Sequence, residues 1–118
     1  MPKRFPGSLY SRGSEPDPRF SLANERTFLA WVRTSLALLA AGVALEALQV
    51  PVSPGFRLAA SVVFVVLGVL AAVQAWVGWL RTERALRENR ALPAPSSGFV
   101  IIIGVVLGVV LLTLGYLW

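Results

Sequence analysis

The chain has 118 residues, 56% of them hydrophobic and only 14% charged, with a mean hydropathy of +0.69. A soluble domain this small has too much surface to hide that much apolar sequence, so an integral membrane protein is expected. There is no Cys and no His, which removes disulfides and the commonest metal, redox and general-base chemistry; no catalytic residue, metal site or cofactor is expected, and the chain does not read as an enzyme.

The net charge of +5 comes from ten arginines and one lysine. In a membrane protein this balance speaks of topology and anionic headgroups before nucleic acid. Residues 1–18 are rich in Pro, Gly, Ser and Arg without apolar periodicity, and are expected as a flexible cytosolic tail. No apolar run follows Lys3 and Arg4, so the stretch does not read as a signal peptide.

Pro18 closes the tail in this reading, and Ser21 or Asn24 caps a first helix with Glu25 in its first turn. From Thr27 to Val50 the sequence is apolar apart from Arg33 and Glu46. That is enough for a span, which needs about 20 residues. Trp31 fits an interfacial anchor. Pro51 and Pro54-Gly55 mark a short turn, and Leu58 to Leu80 is an uncharged second span ending at Trp76 and Trp79. Arg81 to Arg90 continues that helix past the headgroups, Pro93 and Pro95 break it, and Phe99 to Trp118 is a third uncharged stretch. The predicted helices thus cover about residues 21–50, 56–90 and 98–118, an all-α membrane domain over 19–118.

Arginine placement sets the orientation. The N-terminal side carries Lys3, Arg4, Arg12, Arg19 and Arg26, the second loop Arg81, Arg84, Arg87 and Arg90, and the first loop only Arg57. The N-terminus is expected in the cytosol and the C-terminus outside.

At 100° per residue, Arg26, Ala30, Arg33, Ala37, Ala40, Ala41 and Ala44 form one stripe of the first helix. Helix two carries Gly68-x-x-x-Ala72, with Gln74, Gly78 and Arg81 beyond; helix three carries Gly104-x-x-x-Gly108 and Gly115. Small residues let helices approach in lipid, so these stripes are expected as packing faces of a bundle that self-associates. Arg26, Arg33 and Arg81 are expected at similar depth. They suit either a phosphate or carboxylate ligand, with Glu25 pairing to one of them, or the phosphates of anionic lipids, with Arg84 among the snorkelling charges. Glu46 lies some 200° from Arg26, so a pair with Arg33 is excluded; it reads as a carboxylate at the outer headgroups or a buried ion site.

The run Leu22-Ala23-Asn24-Glu25-Arg26-Thr27-Phe28-Leu29-Ala30-Trp31-Val32-Arg33-Thr34 resembles the signature of domain of unknown function family 202, the small YidH-type bacterial membrane proteins. That family is similar in turn to the membrane part of the vacuolar transporter chaperone, which passes polyphosphate through a ring of five subunits lined by basic residues. The resemblance implies a homo-oligomer (a pentamer by analogy) in the bacterial cytoplasmic membrane. It implies a basic mouth built from Arg19 after Pro18, Arg26 of the Asn-Glu-Arg run and Arg81 after Trp79-Leu80, with phosphate or polyphosphate as the anion. The chaperone's soluble catalytic domains have no counterpart here. An anion-binding or anion-conducting pore is therefore the first expectation, and a non-transporting scaffold whose arginines hold lipid the alternative.

Overall fold

A computed structural model describes Leu9, residues 13–92 and residues 97–118, Ser97 by its backbone. Within them lie three helices, α1 (Pro18–Ala47), α2 (Pro54–Arg87) and α3 (Ser97–Leu117), and no strand. All three are long and apolar enough to cross a membrane.

The helix ends follow from local chemistry. The cap of α1 is Asp17, whose carboxylate accepts the Arg19 N–H at 2.9 Å, and Pro18 sits in the first turn. Proline costs nothing there, because its missing N–H would have no helical partner. The helix therefore begins before Ser21 and Asn24, which are already inside it, and Glu25 is not in the first turn. Both α1 and α2 end on a left-handed residue that is not glycine, Gln49 at φ 48° and Asn89 at φ 52°. In each case the next N–H reaches back to the last turn, Val50 to the Leu45 carbonyl and Arg90 to that of Ala85. This satisfies carbonyls that the helix end leaves open, and it stops α2 at Arg87, three residues short of the predicted end.

The three helices do not close into a bundle. α2 is central, α1 and α3 each pack on it, and the backbones of α1 and α3 make no close approach to each other. In a bilayer lipid tails are as apolar as leucine, so association must come from close packing and interhelical hydrogen bonds. α1 and α2 use both. Ser35 Oγ donates to the Gly68 carbonyl at 2.7 Å, and Ser61 Oγ donates to the Gly42 carbonyl. Serine and glycine stand seven residues apart on each helix, so the antiparallel pair exchanges the same bond in both directions. The backbones come close enough that a methyl on Gly42 would meet Val65 Cγ2 at 2.7 Å and the Ser61 carbonyl at 2.9 Å. On the other side of α2, Leu67 and Phe64 fill the hollows over Gly104 and Gly108.

The expected small-residue faces divide accordingly. Gly68, Gly104 and Gly108 are buried at helix contacts, but Ala37, Ala41 and Ala72 are exposed. The contact face of α1 is instead Asn24, Ser35, Leu38 and Gly42. The Arg26–Ala44 stripe is centred about 145° from that face, so it is not the surface that packs on α2.

Reading the pairs Gly104 with Leu67, Gly108 with Phe64 and Gly115 with Phe56, α3 begins level with about Ala75. The last twelve or so residues of α2, roughly 18 Å, run past it alongside the start of α1. Residues 13–17 pack there too. The Ser14 N–H donates to the Arg87 carbonyl at 3.1 Å, and the buried Arg87 guanidinium pairs with Glu15 at 3.1 Å. This part of the expected tail is therefore docked; residues 1–8 and 10–12 of that tail lie outside the described residues.

Candidate functional site

The arginine-rich end of the molecule is built from the first two turns of α1, the extension of α2 and the start of α3. Arg19 is 86% exposed and pairs with Asp17 at 2.9 Å. The Arg19 side chain, and then its backbone N–H, hold the Asp17 carboxyl below the usual carboxylate range.

Arg26 and Arg81 do not come together within the chain. Arg26 is two residues past Asn24, and Arg81 stands two residues from both Trp79 and Glu83, the groups that Asn24 contacts. Two residues turn a helix through about 200°, so each arginine leaves its helix on the side away from the other, and both are exposed. Arg33 lies on the same outward stripe as Arg26, roughly 10 Å further along the axis, and is exposed as well. Among the described residues neither Arg26 nor Arg33 has an ion pair, and the expected partner Glu25 makes none. Arg84 is half-buried and its Nε is out of solvent with no hydrogen-bond partner. Glu46 pairs with Arg57 at 3.2 Å, and Arg57 also donates to the Val50 carbonyl, bracing the turn at the opposite end.

What these arginines surround is a polar contact that arginine counting passed over. Glu83 is only 4% exposed, and its carboxylate accepts from Ser21 Oγ and Asn24 Nδ2, both at 3.2 Å. Asn24 Nδ2 also donates to the Trp79 carbonyl at 3.1 Å. The signal was present in two places: an asparagine at the head of an apolar run, and one of two carboxylates among four arginines between Arg81 and Arg90. Either charge pattern reads equally well as a solvated face, so sequence alone did not separate them.

Two cavities flank this contact. One, of about 320 Å³, is lined by Glu15, Ser21, Glu25, Trp79, Glu83 and Arg87. Its carboxylates outnumber its cation, yet no group of acidic side chains among the described residues is arranged to hold a metal ion. The other, of about 480 Å³, opens between α1 and α3 with Arg26 and Trp31 on one wall and Ile101 and Ile102 on the other. The arrangement offers guanidinium groups to anions and apolar grooves to lipid.

Comparison with known proteins agrees with the layout. The family model described as domain of unknown function DUF202 matches residues 19–85, the α1–α2 hairpin. The chain is 46% identical over 102 residues to the uncharacterised protein Rv2272 of Mycobacterium tuberculosis, covering 85% of this chain and 84% of that protein. It is 43% identical over 99 residues to inner membrane protein YidH of Escherichia coli, covering 83% and 84%, and no solved structure matches it at a significant level. With its three apolar spans, the chain belongs to the DUF202 family and is a multi-pass inner-membrane protein.

Proposed function

We propose that the chain is one subunit of a homo-oligomeric membrane assembly that binds anions of the phosphate class at its cytosolic face and provides a path for them. One observation carries this reading. Arg26 and Arg33 share the outward face of α1 with Ala30, Ala37 and Ala41, opposite α2 and without ion pairs among the described residues. Alanines let a second copy approach closely, and guanidinium groups brought together by such an approach form the kind of ring that selects anions. Arg19 and Arg81 belong to the mouth of that assembly rather than to a site within one chain. Phosphate and short polyphosphate are the anions this reading favours.

Purified protein in liposomes should bind or pass inorganic phosphate, short polyphosphate or chloride, and Arg26→Ala should weaken this. Protein that passes none of them, with binding indifferent to Arg26→Ala, would overturn the proposal. The open array of three helices, in which the backbones of α1 and α3 stay apart, favours a second reading: a non-transporting scaffold whose arginines hold anionic lipid. A monomer carrying lipid in native mass spectrometry, with no larger assembly, would select it.

A further inference from the structure

We infer that the groove between α1 and α3 is a binding site for one anionic phospholipid, its acyl chain between the helices and its phosphate on Arg26. This rests on the second reading above, in which the arginines hold anionic lipid, and it assigns Arg26 to the lipid and not to an anion path.

The groove exists because α1 and α3 both pack on α2 and leave a gap between themselves. Its walls are apolar along most of their length, from Ala30 and Trp31 on α1 to Ile101 and Ile102 on α3. Its polar demand is confined to one end. The hydroxyls of Thr27 and Thr34 are already turned back to the Ala23 and Ala30 carbonyls, at 3.2 and 3.1 Å. The donors left over are the Arg26 guanidinium and the Trp31 indole N–H, neither of which has a partner among the described residues. Arg26 is the one charged residue among the described residues that line the groove, so a cation stands at the mouth and hydrocarbon lies behind it. That gradient, at the level where α3 begins, matches an anionic headgroup followed by a chain.

Size is compatible with this occupant. From Arg26 to Thr34 the groove runs about 12 Å along α1, and its volume is about 480 Å³. A single acyl chain fits there without moving α1 from α3.

The test uses the full chain in phosphatidylcholine vesicles containing either acyl-brominated phosphatidylglycerol or acyl-brominated phosphatidylcholine. Bromine quenches tryptophan on contact, and the Trp31 contribution is the difference from a Trp31→Phe chain. The brominated anionic lipid should quench Trp31 preferentially, by about fivefold in apparent affinity, the equivalent of ~1 kcal/mol for one basic residue at an anionic surface. Arg26→Ala should abolish the preference, and Ala30→Phe, which projects into the open groove, should lower quenching by both lipids. Excess inorganic phosphate should leave the preference unchanged. Equal quenching by the two lipids, relief of the preference by free phosphate, or shielding of Trp31 from both lipids by a second copy would each overturn the inference. Because no ion flux is measured, failure here is separate from failure of the anion path.

Discussion

The two long sides of α1 carry opposite lessons about how helices meet in a membrane. The side against α2 is lean in alanine but holds Asn24, Ser35 and Gly42, and every one of them is fastened to a group on α2 or pressed against it. The other side has the alanines and two arginines and makes no contact with α2, and most of it is exposed. Smallness permits approach, but hydrogen bonds decide which approach is taken, since in lipid a buried polar group has few other partners.

The sharpest way to break this contrast is at Gly42. Gly42→Leu drives a side chain into Val65 and the Ser61 carbonyl, and should cost about 3 kcal/mol by overpacking, read as a lowered unfolding midpoint in detergent. Asn24→Leu comes next. It strips Glu83 of one of its two donors and should cost about 1–3 kcal/mol, the range for a buried polar group left without a partner. Thermal unfolding checks this, with Ser21→Ala expected to have the milder effect because its contact is only partly buried.

Arg57→Ala removes the brace between the α1–α2 turn and Glu46. The carboxylate there is 40% exposed, so the loss should stay near 1 kcal/mol or below, visible as faster hydrogen exchange in residues 48–53. On the outward side, Ala41→Leu should change the stability of the single chain by no more than about 0.5 kcal/mol, while removing the cross-linked oligomers that the proposed assembly requires. An Ala41→Leu chain that stays oligomeric would move the interface to another face.

The smallest effect is expected at Asp17. Its carboxyl is held below the ordinary range by Arg19, so its folded-state pKa is depressed. Its capping contribution is complete above the usual aspartate range and fades as pH falls through the lowered value. The protection of the amides of residues 19–21, relative to their intrinsic exchange rates, should fall in acid, and Asp17→Asn, which keeps a capping acceptor, should remove that pH dependence.

The sequence carried the number of spans and their approximate limits, because long apolar runs broken by proline leave few alternatives. It also separated Glu46 from Arg33 by angle alone. The pairing of helix faces was not legible in the same way. Periodicity ranks residues by smallness or charge, and the alanine stripe outscored the true contact, whose key is the spacing of Ser35 to Gly42 repeated as Ser61 to Gly68. Arg26 and Arg81 were matched in depth but not in direction. Depth follows from counting residues, whereas direction depends on which face Asn24 and Glu83 bring together. The left-handed stops at Gln49 and Asn89 were hidden because neither is glycine.

The contact of residues 13–15 with Arg87 joins positions 72 residues apart, and the whole α1–α2 hairpin lies between them. With the covalent turn at the far end, the hairpin becomes a ring closed by a non-covalent clasp. A load placed on the N-terminal segment falls first on the Arg87 carbonyl and guanidinium, before any turn of α1 can yield. Tension in the N-terminal segment is therefore borne at the end of α2, outside the apolar spans.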